Sequence, residues 1–247
     1  MEDKLSANIG PAKGDCASCE YKINLLEKKR CQPGDTCIKV KSGRQIDRFL
    51  RNNPGLANQY LTDDFWETRA IAVRYASQKE LIKLINDRDE VVRRAVAYRI
   101  PADELIAMID DEDREVRITV ADRISPEHLE KMAEDKDYLV RVYVSRRLPA
   151  GRLFRMMCDS DPQVRKEVSL RIPEASLGLM VEDKELDIRR IIAERMNAKD
   201  VAMLLNDSEW LVRLTAAERV ELSVLKSLTE EDEDPEVRET IKRRLDE

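Results

Sequence analysis

The residues with the clearest chemical potential are four cysteines near the amino terminus. Cys16, Cys19, Cys31 and Cys37 follow the spacing C-x2-C-x11-C-x5-C. A chain that keeps its thiols reduced has little use for so dense a group except to bind metal. Four thiolates suit tetrahedral zinc or an iron–sulfur cluster, both soft sites. The spacing decides between neither. A zinc ribbon carries two C-x2-C knuckles, whereas the second pair here is C-x5-C; the ferredoxin run C-x2-C-x2-C is absent as well. Lys28, Lys29 and Arg30 run directly into Cys31, with Lys22, Lys39 and Lys41 close by. Such cations would stabilise an anionic four-thiolate centre, or form a docking patch for an acidic partner.

Other chemistry is scarce. There is one histidine, His128, and no Gly-rich phosphate loop, and neither a Ser/His/Asp nor a Cys/His set is evident. No enzyme and no small-molecule substrate are therefore expected. Cys158 and His128 fall in columns of polar residues and are expected at the surface rather than in a site.

The elements that must carry the cysteines come from the rest of the 247 residues. Charged residues make up 38% of the chain and aromatics only 4%. Residues 1–62 hold four of the five cysteines and a charge of +4, which leaves −10 on residues 63–247 out of a total of −6. No apolar run is long enough for a membrane span. Met1-Glu2-Asp3-Lys4 leads into no secretory signal, so a cytoplasmic location is expected.

Residues 63–247 repeat with a period of 24. Arg69, Arg93, Arg117, Arg141, Arg165, Arg189 and Arg213 keep that interval, and Arg238 follows after 25. A second arginine column lies six residues on: Arg99, Arg123, Arg147, Arg171, Arg195, Arg219 and Arg244. A leucine column (Leu81, Leu105, Leu129, Leu153, Leu177, Val201, Leu225) is followed by a Leu/Met column. An acidic column closes each unit at Asp87, Asp111, Asp135, Asp159, Asp183, Asp207 and Glu231. This gives seven full repeats and a truncated eighth.

Each repeat reads as two helical segments. Val92, Val96, Ala97 and Ile100 mark one face of an α-helix. Asp89, Asp113, Asp137 and Asp161 stand at its N-cap. Pro101, Pro126, Pro149 and Pro173 separate the segments, while Pro162 and Pro235 open first helices. Helical-hairpin repeats usually take ~33–47 residues, so the second segment must be short and 3₁₀-like. One unit cannot bury its own apolar stripe, but a stack can. The leading arginines lie inside the apolar face, where a planar guanidinium can take a carboxylate of the acidic column in a bidentate pair. The second column lies at the edge of the stripe and reads as a solvated face. The methionines share the phase of the core leucines and read as core filling.

The unit Val92-Arg93…Val96-Ala97…Arg99-Ile100-Pro101 and its copies, behind Cys16, Cys19, Cys31 and Cys37, resembles the iron–sulfur-containing leucine-rich repeat variant (LRV) family over essentially the whole chain. The first repeat departs from it, with Tyr75 in the second arginine column, and so does the offset eighth. The resemblance implies an all-α fold: a right-handed superhelical solenoid of alternating α and 3₁₀ helices behind a small Cys-rich module. It also implies a [4Fe–4S] cluster on the four cysteines, which favours iron–sulfur over zinc. It implies no activity. The expectation is a module at residues 1–62 and a solenoid at 63–247. Its function would be a non-enzymatic redox or oxygen-responsive one, exercised through an unidentified protein partner. A scaffold with a purely structural metal is the alternative. Nucleic acid is disfavoured by the acidic body and the few aromatics.

Overall fold

The computed structural model describes residues 14–227 and 232–246. Among them are helices but no strand, and the one β-bridge is an isolated pairing of Gln32 with Thr36. The chain forms two compact units, one ending at Ser125 and one beginning at Pro126.

In the first unit, α-helices Gly43–Asn52, Trp66–Tyr75, Glu90–Ala97 and Arg114–Arg123 pack one on the next. They alternate with 3₁₀ segments Pro54–Tyr60, Ile82–Leu84 and Ala102–Met108. The second unit stacks Tyr138–Arg147, Pro162–Arg171, Leu186–Arg195, Trp210–Arg219 and Pro235–Leu245 in the same manner. Its 3₁₀ segments are Glu130–Met132, Ala150–Met156, Glu174–Met180 and Asp200–Leu204. Each unit is thus a stretch of helical-repeat solenoid. The second segment is 3₁₀ in most repeats, as the short period demands. It begins as an α-helical turn at Gln78–Leu81 and Pro126–Leu129, and is the α-helix Leu222–Ser227 in another repeat.

The columns behave as their phases require. Val92, Val96, Ala97, Ile100 and Leu105 are fully buried, and Met108, Met132 and Met156 nearly so. Pro101, Pro149 and Pro173 each cap a 3₁₀ segment, whereas Pro162 and Pro235 stand at the first positions of α-helices. The four aspartates expected at N-caps are there. Asp113, for example, accepts from the Val116 N–H at 3.0 Å. Replacing it by alanine orphans that donor and removes a negative charge from the helix's positive end. A loss of about 1 kcal/mol is expected, read as a lower urea midpoint.

The leading arginines form a buried ladder. Arg93 Nε and Nη2 grip Asp111 at 2.8 and 2.9 Å, while Nη1 donates to the Asp87 carbonyl at 2.8 Å. Arg69 holds Asp87 in the same way, as do Arg141 with Asp159, Arg165 with Asp183 and Arg189 with Asp207. Each carboxylate also accepts the N–H of the residue two places on, as Asp111 does from Asp113 at 2.9 Å. Each arginine thereby ties the backbone before one repeat to the acid that opens the next.

At the carboxy-terminal end, Arg213 pairs with Asp232, not with Glu231 as the strict period implies. Glu231 itself lies outside the described residues. The extra residue that sets Arg238 one place late thus falls before the acid.

The second arginine column is not the solvated face expected of it. Arg99 donates to the carbonyls of Val73 and Ala76, Arg123 to those of Ala97 and Ile100, and Arg195 to those of Ser169 and Ile172. Arg171 reaches the Ser145 carbonyl, and Arg244 those of Ala217 and Val220. These acceptors are the unpaired carbonyls at the end of the preceding repeat's α-helix, where a cation also meets the negative pole of the helix. Most of these side chains are half-buried, although Arg219 is exposed.

The ladder makes stability depend on pH. Burial alone would raise Asp87, Asp159 and Asp183. The guanidinium hydrogen bond, the backbone N–H and the arginine charge outweigh it and hold all three below the usual carboxylate range. Asp232 is lowered chiefly by the hydrogen bond from Arg213. A carboxylate with a lower pKa folded than unfolded contributes its stability above the unfolded value and loses it as pH falls through the folded one. The urea midpoint is therefore expected to hold from neutrality to about pH 5 and to drop steeply below about pH 4. A midpoint that rises on acidification would contradict this.

Candidate metal centre

The four cysteines arrive on two short knuckles. Asp15 organises the first: its carboxylate accepts from the Ala17 N–H at 2.9 Å and the Ser18 hydroxyl at 2.5 Å. The Ser18 bond, then the Ala17 bond, holds Asp15 below its ordinary pKa. Cys19 passes its carbonyl to the Lys22 N–H at 3.0 Å and leads into a single π-helical turn, Lys22–Leu26. Such turns are rare and often sit beside functional sites.

The second knuckle is a closed loop. Gln32 and Thr36 exchange backbone hydrogen bonds, both 2.8 Å. The turn inside has Pro33 followed by Gly34 at φ 78°, the pairing a type II turn requires. Cys31 and Cys37 stand at the two feet of this loop. The Cys37 N–H donates to the Gln45 carbonyl at 3.2 Å, which fastens the loop to the helix Gly43–Asn52. Gly14 closes the site: a Cβ there would sit 3.0 Å from Cys37 Sγ.

All four thiols, each half-buried, line one partly open cavity with Tyr21, Lys22, Leu26, Ile38, Lys39 and Phe49 among its walls. The structure therefore brings together every cysteine singled out in the sequence except Cys158, which is exposed elsewhere. His128 is half-exposed, with Glu127 at 3.8 Å. Burial, then the neighbouring cysteines Cys37 and Cys19, push the Cys16 thiol up; burial, then Cys19 and Cys37, do the same for Cys31. Cys16 and Cys31 are thus held toward the thiol form, and metal binding would displace their protons.

Four cysteine thiols on one cavity are a donor set that an iron–sulfur cluster takes. Four thiolates on one zinc at ~2.3 Å must crowd to within about 4 Å of each other. Among the described residues, no three His, Cys, Asp or Glu side chains are set to hold a single metal ion. A cubane takes each thiolate on a different iron, so its ligands can stand further apart around a common cavity.

The cavity's rear wall joins the head to the repeats. Phe49, almost fully buried, lies 5.4 Å from the Tyr21 ring and 6.4 Å from Tyr60, and the two tyrosine hydroxyls share a 2.7 Å hydrogen bond. This wall belongs to a degenerate repeat that the sequence reading left in the cap. Helix Gly43–Asn52 and 3₁₀ segment Pro54–Tyr60 show the same alternation as the later units. Asp63 stands 24 residues before Asp87. It accepts from the Phe65 N–H and gives its carbonyl to Arg69, as Asp87 does toward Asp89 and Arg93. The period was hidden because Gln45 replaces the leading arginine and Ala57 the leucine. Arg51 and Asp63, in phase with the second arginine and acidic columns, were the legible signal.

Residues 12–59 match the family model for the LRV protein FeS4 cluster. A solved structure described as a leucine-rich repeat variant with a novel repetitive protein structural motif is 59% identical to this chain. It superposes with a TM-score of 0.85 over 94% of this chain and 99% of that one. An uncharacterized 27.7 kDa protein in the nifB 3'region of Rhodobacter capsulatus is 38% identical over 88 residues, 36% of each chain. The match spans about a third of that curated relative. Among the described residues, no helix is long and apolar enough to cross a membrane.

Proposed function

This chain belongs to the leucine-rich repeat variant family, and from that premise we propose a non-enzymatic iron–sulfur protein whose head is a one-electron or oxygen-responsive centre. Cys16, Cys19, Cys31 and Cys37 hold a [4Fe–4S] cluster, and the repeats offer a surface to a protein partner. When bound, such a cluster exchanges one electron at a time at a potential set by charge, hydrogen bonding and exposure. The observation that carries this reading is the meeting of four thiols from two knuckles on one partly open cavity.

The chain's own residues tune that site. Lys22 and Lys39 stand on the cavity wall and offset the negative charge of the thiolates. Lys39 is itself held by Glu20 at 2.5 Å and lies over the Tyr21 ring. Phe49 and Ile38 keep water from the rear wall.

The test is an anaerobic redox titration of the intact chain, followed by electron paramagnetic resonance. A reversible one-electron couple is expected. A centre with no accessible couple that is also inert to oxygen would assign the metal to folding the head, the alternative reading.

A further inference from the structure

We propose that Lys22, on the wall of the cysteine cavity, together with Lys28, Lys29 and Arg30, which lead into Cys31, forms the docking face for a small acidic protein of the electron-carrier class. The proposal rests on the redox reading above and names the partner that reading lacks.

All four residues are exposed. Three carboxylates of the head are engaged elsewhere, Glu20 with Lys39, Asp35 with Arg48 and Asp47 with Arg51. Beside the exposed Glu27, the four cations leave residues 22–30 net basic. Lys22, Lys28 and Lys29 have no carboxylate partner among the described residues, and Arg30 uses its guanidinium on the Asn52 carbonyl at 2.6 Å. Next to Lys22 in the chain, Ile23 is 68% exposed. An exposed apolar side chain in a net basic segment suits a protein–protein contact, with steering supplied by the charge.

The backbone adds an independent observation. Arg30 N–H bonds to the Leu25 carbonyl at 2.8 Å and Lys29 N–H to that of Leu26 at 3.0 Å. This closes the π-helical turn with Lys29 at φ 55°, the one non-glycine residue with positive φ among the described residues. Glycine is the favoured occupant of that position. A long cation stands where the backbone would be easier without a side chain, two residues before Cys31.

Charge selects the partner. The basic segment complements an acidic surface. Nucleic acid fits less well, because among the described residues of the head no aromatic is exposed for a base to stack on, and residues 63–247 carry −10.

The test uses the intact, anaerobically purified chain with its metal. The probes are an oxidised acidic [2Fe–2S] ferredoxin, an oxidised flavodoxin and a double-stranded oligonucleotide. Association is measured at about 50 and 500 mM salt, where screening is weak and strong. The expected result is carrier binding that the Lys28→Glu/Lys29→Glu variant weakens about tenfold or more at low salt, with little difference left at high salt. Lys29→Gly should raise the unfolding midpoint while still weakening binding, which separates docking from a structural role.

The proposal is overturned by any of four results: no binding to either carrier at low salt, binding indifferent to these lysines, preference for the oligonucleotide, or salt-sensitive self-association instead. Because the carriers are oxidised, binding is read without electron transfer. A failed redox titration with intact docking would sink only the redox reading.

Discussion

Replacing Arg93 by methionine is expected to lower the stability of the chain by about 3–5 kcal/mol, the cost of breaking a buried ion pair by removing one partner. The side chains of Arg93 and Asp111 are only 7% and 6% exposed. Without the guanidinium, Asp111 keeps a charge in a site that water barely reaches, held by the single N–H of Asp113. The Asp87 carbonyl loses its donor as well.

Asp111→Asn is the matching change on the other side. It preserves an oxygen for the Asp113 N–H but takes the buried carboxylate charge from the guanidinium, which keeps the Asp87 carbonyl and the exposed Glu112. The double variant removes both charges and should lose less than the sum of the single losses, by roughly 1–3 kcal/mol. Lys83→Met serves as the control, since its pairing with Glu80 is 74% and 29% exposed and should matter by less than ~1 kcal/mol. Urea unfolding followed by the helical signal measures all four. A loss at Arg93 no larger than at Lys83 would show the ladder to be ornamental.

Changing Cys31 to serine is expected to abolish metal binding while the repeats stay folded. Cys31 stands at one foot of the closed Gln32–Thr36 loop and opens directly onto the cavity. A hydroxyl is a poor substitute for a thiolate on iron, and three remaining thiolates leave one corner of a cluster open. Iron should fall from about four per chain to well below one, with loss of visible absorption. The helical signal should persist, because a solenoid repeat depends on its immediate neighbours. Cys158→Ser, altering an exposed thiol outside the head, should keep full iron. If Cys31→Ser retained iron and Cys158→Ser lost it, the ligand set would be wrong.

The sequence was most legible where one residue type had one physical task. A guanidinium inside an apolar face has few uses besides a carboxylate, so the pairing of Arg69, Arg93, Arg141, Arg165 and Arg189 with aspartates followed from phase alone. The four cysteines were legible as a group, and the structure gathers them on one cavity.

The second arginine column was misjudged because a helical wheel contains only its own helix. Arg123 sits at the edge of its stripe, but its acceptors, the Ala97 and Ile100 carbonyls, end the helix one repeat earlier. Backbone acceptors leave no mark in a sequence. The degenerate repeat at Gly43–Tyr60 escaped because its two most recognisable columns are filled by Gln45 and Ala57. Its packing is made instead by Phe49 and Tyr60, residues the later repeats do not use there. Nor could spacing show that Lys29 takes a positive φ, since lysine is not the residue that conformation advertises.

The central claim is that Cys16, Cys19, Cys31 and Cys37 hold an iron–sulfur cluster at the head of a helical-repeat solenoid. Iron, zinc and acid-labile sulfide measured together on the intact chain, purified without oxygen, test it most directly. About four iron and four sulfide per chain, with no zinc, is the predicted result. One zinc without sulfide would contradict it.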